Sequence, residues 1–402
     1  MMMNNKLSVL FVDDDINVIN GIKRILYKYR DQWKMYFVSS GERAIEILAL
    51  KDIDVLVCDI MMPGLNGYEV LQYTYEEHPH VIRFILSGYH DEELILKSTK
   101  YAHQYLQKPI SPAFIINTIK KTVFTRGYLD NDPDIIKKIS SIRVIPGIPE
   151  LYIKINTMLS DENTSTLKIA DTIAEEPSLV AKILHVVNSG FFGISQRITS
   201  IETAISYLGI NLLKALILYY LTFENKWNYT DVTKQIERIG RESMNTAKLA
   251  QIIAEVSEST KEESEEVFIA ALMHRIGEIV IIENPEVFSI HSTSVINPPG
   301  IAAYILGMWG LPSVVVEAIA YQNDPLNENN TALKHTLNLF LSRKLLNLPT
   351  EILEGFGKIA ESNDSERIES YALKYFGIDN AEFSKISEYF QVDKVIGNYL
   401  KN

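Results

Sequence analysis

The 402-residue chain has a single cysteine, Cys58, so no disulfide can close within it. One thiol suits a reducing compartment, and a cytoplasmic protein is expected. Positive charge is scarce as well: 39 Lys and Arg stand against 51 Asp and Glu, a net −12. A general nucleic-acid binder carries a basic stripe, a recognition helix, a zinc finger or a basic arm. None is legible, so nucleic acid is not an expected partner, although a small basic patch stays compatible with this balance. Long apolar runs are missing too. The strongest, "LLKALILYYLTF" from Leu212 to Phe223, contains Lys214. It falls short of the ~18–20 residues of a membrane span and reads as a buried core helix. The start, "MMMNNKLSVLFVDDD", runs from a short apolar strand into three acids, unlike a secretion signal. No tract of low complexity and no repeat of fixed period is found.

What remains is ordinary globular composition, 47% hydrophobic and 22% charged, at a length that suggests two or three domains. Up to about residue 125, short apolar strands alternate with amphipathic helical stretches. The strands are "LSVLFV" (7–12), "YFVS" (36–39), "DVLVC" (54–58), "VIRFIL" (81–86) and "QYLQ" (104–107). The helices include Ile16–Tyr29 and Gly41–Leu50. Near-continuous apolar strands between helices imply a parallel sheet covered on both faces, with ligands beyond the carboxyl ends of the strands. The polar stretch "TRGYLDNDPD" (125–134) marks a boundary, and residues 126–142 read as a linker. After it come long segments of 3.6-residue period, among them 165–175, 178–188, 200–223, 231–257, 264–282, 299–306, 312–321 and 331–346. That is an all-α domain.

The strand ends hold the chemistry. Strand 1 ends at Asp13-Asp14-Asp15, strand 3 at Cys58-Asp59, strand 4 at Ser87 and strand 5 at Lys108-Pro109. A doubly wound sheet brings these ends to one edge. Crowded carboxylates repel unless a cation sits among them, and an all-oxygen cluster suits Mg²⁺. A lysine and a hydroxyl add donors for a phosphoryl group. Mg²⁺-assisted phosphoryl transfer with a carboxylate nucleophile is the implied reaction. Asp15 fits a helix cap as well as the site. Cys58 points away from Asp59 by strand alternation and reads as core.

"VLFVDDD", "CDIMMPGLNGYEVL", "ILSG" and "YLQKP" resemble the receiver domain of bacterial response regulators. The resemblance implies a flavodoxin-like, five-stranded parallel fold over residues 1–125. It makes Asp59 the phosphoacceptor and Asp13 and Asp14 the acidic pair for Mg²⁺, with the Met61 carbonyl as a further ligand. Ser87 becomes the switch hydroxyl, Lys108 the phosphate-pairing lysine, Tyr105 the switch aromatic, and Pro109 the residue after a cis peptide. A sensor histidine kinase or phosphotransfer protein is the implied donor.

Farther on, "IPGIPELYIKINTML", "IADTIAEEPSLVAKILHVVNSGFFG", "ITSIETAISYLGI" and "YILGMWGLPSVVVEAIAYQNDP" resemble the HDOD domain, an HD-related output domain, over residues 143–346. That family is helical and related to HD phosphohydrolases without their metal ligands. In "LMHRIGEI" (272–279) the HD aspartate is Arg275, a cation with no lone pair to donate. Gln322 and Asn323 stand where related proteins often carry histidines. No metal is expected in this half. His274 reads as a core or surface histidine, and Arg275 either pairs with Glu278 or binds an anion. Asn188 and Gly209 read as helix ends, and Phe191, Phe192, Met308 and Trp309 as core. The charge run "STKEESEEV" (259–267) reads as a solvated loop and helix start. Residues 347–402 either pack on the domain or mediate a homodimer.

The expected protein is a two-component regulator signalling through a non-catalytic helical output that binds another signalling protein. The rival is a receiver-regulated, metal-dependent HD hydrolase of a nucleotide or cyclic dinucleotide.

Overall fold

The structure is a computed structural model. It describes residues 6–87, 98, 101–108, 111–129, 139, 150–159, 164–188, 197–223, 230–288, 296–347 and 386. The chain divides into two compact units. The first is Met1–Thr164 with Glu283–Val295 and Gly307–Gly310; the second is Ser165–Ile282 with Ile296–Leu306 and Leu311–Asn402.

The first unit is built on β1 (Leu7–Val12), α1 (Ile16–Leu26), β2 (Trp33–Val38), α2 (Gly41–Leu50), β3 (Val55–Asp59), α3 (Gly67–Glu77), β4 (Ile82–Ser87), β5 (Gln104–Gln107) and α4 (Pro112–Phe124). All strand pairs are parallel, in the order β2-β1-β3-β4-β5. The three most apolar strands, β1, β3 and β4, take the centre, where both faces are covered and every residue of β3 and β4 is buried. Strand β2 starts three residues before the expected Tyr36, because Lys34 breaks the apolar pattern that marks a central strand. It is an outermost strand and tolerates that exposed lysine.

Local signals set the helix starts. Asp15 caps α1, its carboxylate accepting from the Asn17 amide at 2.8 Å. In α1, Ile19, Ile22 and Leu26 turn inward, and a 3₁₀ turn, Tyr27–Tyr29, ends the segment expected as one helix. Asn66 and Glu69 form a reciprocal capping box on α3.

Helix α5 (Glu150–Leu159) completes the described helices of the first unit's continuous stretch. The second unit carries α6 (Thr166–Ala174), α7 (Pro177–Asn188), α8 (Ile201–Leu208), α9 (Ile210–Phe223), α10 (Thr230–Val256), α11 (Lys261–Met273) and α12 (Ile276–Glu283). Then follow α13 (Pro298–Met308), α14 (Ser313–Ala320) and α15 (Leu333–Leu346). The C-terminal half of α11 is apolar all round, and Val267, Phe268, Ala270, Ala271, Leu272 and Met273 are all buried. A helix apolar on every side belongs at the centre, and α9, α10, α14 and α15 pack around it.

The 200–223 segment bends by 119° at Gly209, the helix end expected there, whose φ of +83° favours glycine. The 264–282 segment stops at Met273 and restarts at Ile276, so His274 and Arg275 occupy a turn between α11 and α12. The charge run before it is more than solvated chain. Thr260 and Glu263 cap α11 reciprocally, Glu263 pairs with Lys334 at 2.8 Å and Glu266 with His335 at 2.8 Å, tying α11 to α15. Among the described residues no single helix is long and apolar enough to cross a membrane.

Candidate functional site

Strands β1, β3, β4 and β5 deliver Asp13, Asp59, Ser87 and Lys108 to one edge of the sheet. The chain turns sharply after β1, with the Asp15 amide donating to the Asp13 carboxylate at 3.0 Å. Asp13, Asp14 and Asp59 offer carboxylate oxygens within 4.8 Å of one another; Asp13 and Asp59 are buried, Asp14 exposed. The Lys108 ammonium lies 2.9 Å from Asp13 Oδ2 and 2.9 Å from Asp59 Oδ1. Backbone pairing sets its approach, since the Lys108 amide donates to the Ser87 carbonyl at 2.7 Å.

These charges are held against their preference for water. Burial pushes the Asp59 carboxyl above its ordinary pKa; Lys108 pulls it back, and Asp13 and Asp14 add to the rise. Burial disfavours charge on Lys108, but its hydrogen bonds to Asp13 and Asp59 outweigh that and raise its pKa. A set of three carboxylates fits a hard divalent cation such as Mg²⁺, which takes oxygen ligands and keeps waters.

The other expected residues lie on or just past the same strands. Ser87 is buried at the end of β4. Met61 lies just past β3 and is 53% exposed. The Tyr105 hydroxyl oxygen is buried beside Ser98, and burial raises its pKa. Cys58 is buried, its thiol donating to the Asp59 carbonyl at 3.2 Å, and burial followed by the Asp59 charge pushes its pKa up. Asp15, read as either cap or site, serves as the cap of α1. Pro109 lies outside the described residues.

One contributor escaped the sequence reading. A Cβ on Gly67 would sit 2.1 Å from the Asp59 carbonyl oxygen and 2.7 Å from Ile60 Cα. Only glycine lets the start of α3 lie this close behind Asp59. The Asn-Gly pair opening α3 was the available sign.

In the helical unit, His274 is buried with Nδ1 2.7 Å from the Ala271 carbonyl. Burial, aided by Arg343 and opposed by the Ala271 contact, lowers its pKa to about 3, so the ring is neutral. Arg275 reaches Glu278 at 2.7 and 2.6 Å, the i+3 contact expected, and also Glu242 on α10. Gln322 donates to the His274 carbonyl at 3.2 Å, and Asn323 accepts from Arg343 at 2.9 Å. Asn188 does more than end α7: its amide group accepts from the Ile198 amide and donates to the Ile198 carbonyl, both at 2.7 Å. Met308 and Trp309 are core; Phe191 and Phe192 lie outside the described residues.

Two family models match the chain: the response regulator receiver domain over residues 9–120 and the HDOD domain over 145–289. The chain joins a response regulator receiver domain to an HDOD domain. Its receiver is similar to those of curated regulators. It is 33% identical over 128 residues to the hydrogenase transcriptional regulatory protein HoxA of Cupriavidus necator, covering 31% of this chain and 26% of that protein. It is 29% identical over 109 residues to the response regulator SaeR of Staphylococcus aureus, covering 27% and 46%. The chain thus spans about a quarter of HoxA and under half of SaeR. Among solved structures, the signal receiver domain of an HD domain-containing protein from Pseudomonas fluorescens Pf-5 matches at 20% identity and a TM-score of 0.28, covering 29% of this chain and 93% of that one. A receiver domain from Clostridium thermocellum matches at 29% identity and a TM-score of 0.25, covering 27% and 86%.

Proposed function

We propose that Asp59 accepts a phosphoryl group from a histidine kinase or phosphotransfer protein, and that the HDOD domain passes on its state by binding another protein rather than by catalysis. The observation that carries the first half is the Lys108 ammonium, 2.9 Å from both Asp13 and Asp59 on a buried carboxylate cluster. Asp13 and Asp14, with Asp59 and the Met61 carbonyl, would hold Mg²⁺, which when bound neutralises charge on the incoming phosphoryl oxygens. Asp59 Oδ attacks phosphorus, and the bond to the donor's leaving atom breaks. Lys108 then exchanges its contact with the Asp59 carboxylate for the new phosphoryl oxygens. Ser87 donates its hydroxyl to the same group, and Tyr105 responds behind it. A near-complete switch needs about 5.5 kcal/mol of preference for one state.

The second half rests on the turn between α11 and α12. His274 turns a ring nitrogen toward a backbone carbonyl, and the Arg275 guanidinium is engaged by Glu278 and Glu242. This arrangement favours a packing and pairing role over the rival hydrolase reading. Incubation with a small-molecule phosphodonor and Mg²⁺, read by intact mass, should add one phosphoryl group to the wild type and none to Asp59→Asn. Equal labelling of both would remove Asp59 as acceptor. A stoichiometric, tightly held transition metal in the purified full chain would favour the hydrolase.

A further inference from the structure

The receiver carries an uncompensated basic edge that phosphoryl transfer does not use. Between Ile16 and Val38 the chain has Lys23, Arg24, Lys28, Arg30 and Lys34 against one acid, Asp31, and α4 adds Lys120 and Lys121 with no acid. In a chain of net −12 this is a local inversion of sign. All seven cations are exposed. Ring contacts link five of them across α1, the 3₁₀ turn, β2 and α4. Lys120 lies 4.4 Å and Lys28 5.2 Å from the centre of the Tyr29 ring, which stacks on Trp33 at 5.3 Å. Arg30 lies 4.2 Å from the Tyr27 ring, and its backbone carbonyl accepts from exposed Lys6. Lys23 reaches over Phe37 of β2.

The manner of holding matters. Elsewhere the chain pairs cations with carboxylates, as at Arg126–Asp54 and Lys334–Glu263. Among the described residues, none of these edge cations has a carboxylate within ion-pair distance. Aromatic rings position Lys23, Lys28, Arg30, Lys34 and Lys120 instead, which orders the charge without neutralising it. Tyr27, 64% exposed, and Ile25, 37% exposed, add apolar area beside the charges.

We propose that this edge of the receiver, centred on Lys28, Arg30 and Lys120, docks an acidic segment of a partner protein. Carboxylates would complete the ion pairs the edge lacks. Single-stranded nucleic acid fits less well, since it needs open aromatic faces for stacking and the Tyr27 and Tyr29 rings already carry cations.

The test uses the full chain and a fluorescently labelled polyglutamate peptide, read by anisotropy at low and high salt. Binding should be salt-dependent and absent for polyglutamine. The triple variant Lys28→Gln, Arg30→Gln, Lys120→Gln should lose about tenfold in affinity. A control removing equal charge elsewhere, Lys51→Gln, Lys168→Gln, Lys234→Gln, should bind as wild type. Unchanged melting of both variants confirms that folding is intact, and Lys120→Glu alone gives the same direction if the triple variant misfolds. No binding at low salt, equal loss in both triple variants, or tighter binding of a single-stranded oligouridylate of matched charge through the same residues would each overturn the proposal.

Discussion

Lys108 touches two buried carboxylates at once, and truncating it leaves both short of a cation. Lys108→Ala should lower stability by roughly 1–3 kcal/mol without Mg²⁺, with added Mg²⁺ restoring part of it, as read by melting. His274 offers a pH signature. Its pKa falls from an ordinary 6.5 to about 3 because the buried ring resists charge. Below pH 6.5 the unfolded chain takes up a proton that the folded one refuses. This contribution is therefore whole above that pH and is lost as pH drops toward 3, by up to ~1.4 kcal/mol per unit. Denaturant melts across that window should show a shallower acid loss in His274→Gln; an unchanged slope would contradict a buried neutral ring. At this scale the acids and lysine at the strand ends were legible because chemistry restricts what can crowd there. Gln322 holding the His274 carbonyl and Glu242 reaching Arg275 were not, since both join distant parts of the sequence.

Elements set these positions. Gly67 brings the start of α3 against the Asp59 backbone, with no room for a methyl group. Gly67→Ala must push Asp59 and Ile60 aside. It should destabilise by about 2 kcal/mol or more and slow phosphoryl uptake, seen in parallel melting and labelling. Wild-type values for both would show that α3 can retreat without disturbing the site. Helix α2 was read at its true bounds because Ser40, Gly41 and an amphipathic run agree. The break at His274–Arg275 was hidden, since Leu272, Ile276 and Ile279 continue a helical period straight through it. Periodicity reports burial, and both sides of a turn can be buried. The capping box at Thr260 and Glu263 was present as a Thr-x-x-Glu pattern, but its charge masked it.

Over the whole molecule, the alternation of strands and helices and its replacement by helices alone made two architectures visible. The structure adds the strand order, with β1, β3 and β4, the strands apolar enough to be buried on both faces, at the centre. Glu283–Val295 and Gly307–Gly310 are grouped with the first compact unit, and local composition carries no mark of such long-range grouping. The basic edge of the receiver was averaged away in a net charge of −12. The most direct measurement of the central reading maps the modified residue. After reaction with a phosphodonor and Mg²⁺, borohydride reduces an acyl phosphate on aspartate to homoserine, which peptide mass spectrometry locates. Homoserine at position 59, and at no other acid, is the predicted result; homoserine at Asp13, Asp14 or elsewhere, or none in protein that has gained a phosphoryl group, would contradict it.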